Sequence, residues 1–370
     1  MSRGWRVPAL AGLLAFGTCA IGQAQEPPPI GPPGEADAPV AEPPPTWRWK
    51  LADRPVKVVV LAGSIGAWPK QPYAERIQKL CKHVEVKNLS KVGFGAFQLR
   101  QRFKQQVLDR LGELKAPGRE LWLVFQGGLN SVGSPTRTNH DIREMFVLAH
   151  AKGFKVVGLT LTPWGDETDR RWAGIAGLRF LRSTTQVVDF VLGALSPADA
   201  LGEFTRKRAA GADAAWQADE RADVAVDLYR SALRAATAPL RDPAPLEKAL
   251  AKDRPWQAAH KQLAPDARAT ALQADAALAA EIPRWFLRTE LRSFDHIHPN
   301  AEGHRLIAEA ACPSLPASWG CECPTTPPTL TPPTAPAVKP PPAPEQPPVD
   351  LLVLHYPPWL RVLLGWVHDP

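Results

Sequence analysis

No apolar run in this 370-residue chain is long enough to cross a bilayer as a single helix. The two strongest candidates fail for the same reason. Residues 7–21 contain Pro8, and residues 349–370 are split by Pro357-Pro358. Charge of neither sign dominates: 44 Lys and Arg stand against 37 Asp and Glu, interspersed, for a net charge of +7. No RNA- or DNA-binding motif accompanies that modest excess, so nucleic acid is not an expected partner. The chain holds 26 glycines, far below the one-in-three of a collagen, and its 45% hydrophobic content excludes a wholly disordered chain. Cysteine is scarce, at five.

Proline is the residue in excess. There are 41, roughly twice the usual share, and about half fall in two segments, residues 25–47 and 324–348. Both read as extended linkers without a packed core. Ahead of the first, residues 1–24 read as an export signal, with Arg3 and Arg6 before an apolar stretch and Gly22-Gln23-Ala24 at the cleavage site. The expected location is therefore periplasmic or secreted. Cys19 as a lipid anchor is disfavoured by the residues before it. If Cys19 leaves with the signal, Cys81, Cys312, Cys321 and Cys323 remain, and an oxidising compartment would allow bridges. Cys312 with Cys321 or Cys323 would close a short loop. Cys81, in an amphipathic stretch, reads as a buried free thiol. Residues 349–370, beyond the second linker, form an apolar tail that either packs back or contacts a membrane or protein partner.

Between the linkers, apolar and β-branched runs alternate with helical spacing. Strands are expected at 58–61, 83–89, 120–125, 155–161 and 186–191. Helices are expected at 73–82, 97–114, 141–152, 169–182 and 300–311. That order implies a three-layer α/β/α domain with a five-stranded parallel sheet, spanning residues 48–192 and 292–323. Residues 193–291 interrupt it and read as a helical insertion, with Val224, Leu228 and Leu233 on one face and Leu272, Leu278 and Ile282 on another. Such an insertion is either a lid or an elaboration away from the site.

Parallel sheets of this kind bind ligands at the carboxyl ends of their strands, and chemistry-bearing residues sit there. Gly63-Ser64-Ile65-Gly66 follows the first strand, with the hydroxyl expected at the start of a helix. Asn88 through Gly95 follows the second, and Gly127-Gly128-Leu129-Asn130-Ser131 the third. Asp295-His296-Ile297-His298-Pro299-Asn300 lies near the end, with Asp three residues ahead of His, close enough to fix an imidazole tautomer. Each piece alone has an ordinary structural explanation: a helix cap, a turn, a surface loop.

Taken in order, the set resembles the SGNH hydrolases, also called GDSL esterases and lipases. The most specific part is residues 295–304, similar to that family's last block, Asp-x-x-His-Pro-Asn with a following Gly. Leu159 through Trp164 also resembles the family's fourth strand. The resemblance implies the flavodoxin-like SGNH fold. It implies Ser64 as nucleophile, His298 as general base and Asp295 as its orienting carboxylate. The oxyanion hole would comprise the N–H of Ser64, the N–H of Gly93 (with Gly95 as the fallback) and the Asn130 side chain. Two positions depart from the family: Gly63 stands where an Asp precedes the serine, and Ser131 where an Asp follows the block Asn. Trp68 and Trp164, just beyond strand ends, are candidates for a substrate pocket.

The chemistry so implied is acyl transfer from an ester to water, without cofactor or metal. An imidazole base works only when neutral, so the rate is expected to fall below about pH 6–7. Substrates of this class include small-molecule, lipid and acetylated-glycan esters, and a polysaccharide O-acetylesterase or O-acyltransferase is the near alternative. A non-catalytic binding module is another. A metal site built on His296, His298 and Asp295 would leave the glycine–serine turn unexplained.

Overall fold

The computed structural model describes residues 47–324, apart from 169–171, 173, 209–214, 236–238 and 294. The expected leader, both proline-rich linkers (residue 47 and Pro324 aside) and the apolar tail lie outside the described residues. Five strands form one parallel sheet: β1 (Val56–Ala62), β2 (Val84–Asn88), β3 (Glu120–Gln126), β4 (Lys155–Leu159) and β5 (Val224–Val226), in the order β2-β1-β3-β4-β5. The chain reverses its direction of sheet growth between β1 and β3. In an open parallel sheet that is where a crevice opens at the carboxyl edge.

The described α-helices are α1 (Tyr73–Leu80), α2 (Ala96–Gln106), α3 (Leu111–Leu114), α4 (Pro135–Ala151), α5 (Gly174–Val191), α6 (Pro197–Leu201), α7 (Pro243–Leu250), α8 (Arg254–His260), α9 (Pro265–Glu281) and α10 (Ala301–Ala311). The alternation of each strand separates two cores. Val59, Leu61, Leu123 and Phe125 face Leu99, Phe103, Phe146 and Val187 of α2, α4 and α5. Val58, Val60, Trp122 and Val124 face Tyr73, Ile77, Leu306 and Ile307 of α1 and α10.

One buried charge stands in the β1 run. Lys57 Nζ donates to Glu85 Oε2 (2.6 Å) on the neighbouring strand and to the Leu51 carbonyl. Glu85 accepts in turn from the N–H groups of Lys50 and Leu51. Both charges are thus compensated, as burial demands, and the pair joins β1, the edge strand and residues 50–51.

The structure corrects three expectations. The fifth strand is not 186–191, which forms the last turns of α5. Thr184, Val187, Val188 and Val191 recur at helical spacing and are buried on one side. The sheet is completed instead by Val224–Val226, inside the stretch expected to be wholly helical, and Leu228 and Leu233 follow it as buried loop residues of the second core. Helices α7–α9 do lie in that stretch. Leu246, Leu250, Trp256 and Ala276 pack on Leu178 and Leu181, which α5 also buries. Finally, Cys81 is not a free thiol: it is bonded to Cys321, and Cys312 to Cys323. Residues 319–322 pair with the α1–β2 corner through Lys82 N–H to the Gly320 carbonyl, His83 N–H to Trp319 and Glu322 N–H to Leu80. That pairing brings the two sulfurs together.

Two histidines are buried neutral. Burial pushes His304, on α10, down to about 4, with Arg76 and His298 adding to the effect. Burial and the neighbouring arginines push His140, stacked on Phe204, to about 4 as well. An unfolded chain would protonate both below about 6.5, so their contribution to stability is complete above that pH and is lost as pH falls towards 4. Melting temperature should therefore decline from pH 6.5 to 4, and His304→Leu should decline less steeply over that window. Parallel curves for the two proteins would remove His304 as a source.

Candidate active site

The turn after β1 brings the serine out of the sheet. Residues 64–67 form one tight turn, closed by the Ala67 N–H to the Gly63 carbonyl at 3.1 Å. The expected helix start is absent here. Pro69 and Pro72 intervene, and α1 begins only at Tyr73, so no helix dipole acts on the hydroxyl. Gly66 is required by packing: a Cβ there would lie 2.4 Å from that of Ala62. The Asn88 amide donates to the Gly66 carbonyl at 2.8 Å, tying the turn to the end of β2.

The histidine loop is held by its own motif. Asn300 caps α10 by accepting from the Glu302 and Gly303 N–H groups, while its amide donates to the carbonyls of Glu290 and Arg292. The chain is thereby pinched shut on both sides of residues 293–299, and Arg292 bridges to Pro299. A Cβ at Gly303 would meet that of Pro299 at 2.6 Å, which accounts for the glycine after the His-Pro-Asn run. Arg292 extends the closure by donating to Asp166 in the loop after β4 and to His296 Nδ1. The Gly165 N–H donates to the His296 carbonyl at 2.7 Å. Burial would raise the Asp166 carboxyl, but hydrogen bonds from Thr168 and Arg292 outweigh it and hold the group down at about 2.

Within this frame Ser64, His298 and Asp295 form one line. The Ser64 hydroxyl donates to His298 Nε2 at 2.7 Å. His298 Nδ1 is 2.9 Å from Asp295 Oδ2, and a carboxylate can only accept, so the proton sits on Nδ1 and Nε2 is left as the base. The other oxygen, Oδ1, accepts from the N–H groups of Ile297 and His298 at 2.9 and 2.8 Å. Burial disfavours the Asp295 anion, yet these donors more than compensate and its pKa falls below the ordinary value. The same contacts engage both ring nitrogens of His298, which the metal reading would need.

A small cavity opens beside Ser64, about 10 Å³ in volume, lined by Gly63, Ser64, Ile65, Phe94, residues 126–130 and Leu161. That is roughly the space one water requires. Asn130 Nδ2 donates to the Phe94 carbonyl at 3.1 Å, which leaves its second N–H for an oxyanion. Gly93 is exposed at φ +80° and does not line the cavity, whereas its neighbour Phe94 does. The Gly95 N–H is taken by Gln98 Oε1 at the start of α2.

Both departures from the family pattern have a local account. A Cβ at Gly63 would stand 3.2 Å from Asn130 Nδ2 and 3.3 Å from the Phe94 carbonyl, so an aspartate would displace the amide. Ser131 Oγ accepts from the Ala96 N–H and donates to the Gly128 carbonyl, joining α2 to the turn after β3.

Neither tryptophan lines the cavity. Trp164 is a core residue, 5% exposed, with its indole N–H on Thr184 Oγ1. Trp68 stacks on the His298 ring, with centroids 6.0 Å apart and planes at 23°. Its indole also stacks on His304, which Tyr73 covers in turn. Among the described residues of 193–291, none lines the cavity. Sequence reasoning passed over Gln126, whose only signal was a polar residue closing the run Leu-Trp-Leu-Val-Phe.

Comparison with known proteins finds no family model and no curated protein that matches the chain. Solved structures do match. A member of the lipolytic protein G-D-S-L family from Veillonella parvula is 12% identical, with a TM-score of 0.38 and coverage of 69% of this chain and 96% of that one. A GDSL-like lipase from Bacteroides thetaiotaomicron is 14% identical, TM-score 0.36, covering 67% and 82%. A catalytic mutant of an acetylxylan esterase from Geobacillus stearothermophilus is 14% identical, TM-score 0.35, covering 72% and 94%. At such distances the functional reading rests on the geometry of the site itself.

A serine hydrogen-bonded to an imidazole in this way has the arrangement that activates a nucleophile. A fluorophosphonate should label the protein at Ser64, as read by mass spectrometry, and Ser64→Ala should take no label. Asp295→Asn, which leaves the wrong tautomer, should slow labelling by up to about 10⁴-fold. Trp68→Leu should slow it on the order of tenfold by loosening the imidazole, with recovery in Trp68→Phe. Equal slowing in both Trp68 variants would make that indole a mere packing element.

Proposed function

We propose that this chain is an exported serine esterase of the SGNH type, which hydrolyses carboxylic esters through an acyl-serine intermediate. The observation that carries the reading is the unbroken line from Ser64 Oγ through His298 to Asp295, at 2.7 and 2.9 Å. As Ser64 Oγ attacks the ester carbonyl, its proton passes to His298 Nε2, and the imidazolium is stabilised by Asp295. The carbonyl oxygen becomes an anion facing the Ser64 N–H and the free N–H of Asn130. Collapse breaks the bond to the alcohol oxygen, which takes the proton from His298. Water then repeats the sequence on the acyl-serine and releases the acid. No cofactor or metal enters these steps.

The size of the cavity favours short acyl groups over lipid chains, so an O-acetylesterase acting on an acetylated glycan or small molecule is preferred to a lipase. Export is supported by the two disulfides, a pattern of oxidising compartments.

A panel of p-nitrophenyl esters from acetate to octanoate, with acetylated glycans alongside, tests this on the wild type and Ser64→Ala. Hydrolysis of the shortest esters is expected, falling at least tenfold by butyrate and abolished in Ser64→Ala. Activity retained by Ser64→Ala would remove the mechanism.

A further inference from the structure

Helices α7–α9 are joined to the rest of the chain by a neck, formed where the backbone enters and leaves them. The Ala235 N–H donates to the Phe286 carbonyl and the Arg288 N–H to the Leu233 carbonyl, and Arg234 bridges to Leu287. Further along, two arginines cross the neck in opposite senses. Arg241 donates to the Ile282 carbonyl, and Arg284 to the Pro239 carbonyl at 3.1 Å. Each also donates to one carboxylate, that of Glu167 in the loop after β4. Arg241 takes Oε1, and Arg284 takes Oε2 through Nη2 and, at 2.7 Å, through Nε. Among the described residues neither arginine pairs with any other carboxylate.

Glu167 does not line the cavity beside Ser64. Its neighbours in sequence nevertheless hold the loop that carries the base. The Asp166 carboxylate accepts from Arg292, and the Gly165 N–H donates to the carbonyl of His296, two residues before His298. The chain leaving the neck at Arg288 reaches Arg292 only four residues later. Both routes out of the clasp therefore end on the histidine loop. The three clasped side chains are mostly out of water, so loss of the carboxylate would leave two guanidinium groups facing each other without compensation.

We propose that Glu167 is a positioning residue for His298. Residues 239–284 act as a buttress: their two arginines grip the loop after β4 and so hold it against the loop that carries the base. The proposal takes from the esterase reading only the role of His298.

Glu167→Ala should lower kcat for a p-nitrophenyl ester about tenfold with KM nearly unchanged, since a displacement well under about 1 Å at the base suffices. Glu167→Asp, which keeps the charge, should recover part of the loss. Glu167→Gln, which keeps the size and loses the charge, gives a second reading if the alanine variant does not fold. Arg241→Ala/Arg284→Ala should lose as much as Glu167→Ala, and combining all three should lose no more, because each removes the same clasp. Leu114→Ala, a truncation of a buried residue in α3, controls for stability alone: it should lower the melting temperature and leave kcat unchanged. Heteronuclear NMR of histidine-labelled protein reads the His298 imidazole without turnover. Its shifts should move in Glu167→Ala and stay in Leu114→Ala. A Glu167→Ala variant no different from Leu114→Ala in kcat and imidazole shifts, or losses from carboxylate and arginines that simply add, would overturn the proposal while leaving the esterase intact. Imidazole shifts that move in Glu167→Ala in a protein that cleaves no ester would support the buttress and dismiss the esterase.

Discussion

The hydrogen bond between Ser64 and His298 joins residues 234 positions apart, and it is the contact on which the site depends. Its length leaves little tolerance, because a displacement of about 1 Å between reacting groups can cost two orders of magnitude in rate. The sheet fixes one partner through β1, buried along its whole length. The other partner hangs from a loop with no regular structure, and its precision must come from elsewhere. Asn300, Arg292 and Asp295 supply it by consuming the loop's donors and acceptors one by one. The Trp68 face supports the ring from the side.

Strands β1, β3 and β4 were legible because burial on both faces demands apolar runs, and the edge strand β2 because it alternates; Ser64 and Asn130 stand just past two of these runs. The histidine motif was legible because its asparagine and glycine answer to geometry within ten residues. What escaped was set by distant packing. The run Gln186 to Val191 has strand-like β-branched residues, but Val187, Val188 and Val191 find their partners one helical turn apart against the sheet. Val224–Val226 has only three residues, too few for any period to declare itself. The bond between Cys81 and Cys321 depends on a segment 240 residues away returning to pair with one corner. The tryptophans were placed correctly along the chain, yet which way a ring turns is decided by neighbours that spacing does not reveal.

The cavity beside Ser64 is about the size of one water and is lined by Ser64, Asn130 and Phe94. Gly63 belongs to the same arrangement, since the space a larger residue would take is filled by the Asn130 amide.

The link between Cys81 and Cys321 has a consequence for the integrity of the site. Ser64 precedes the first of these sulfurs, and His298 lies inside the loop they close. A protease that severs the backbone between Cys81 and His298 yields two fragments, one bearing Ser64 and the other His298, that stay tethered. Such a nicked molecule would migrate as one species until thiols are added, and would keep its halves at hand for re-docking after damage that would scatter an unbridged relative.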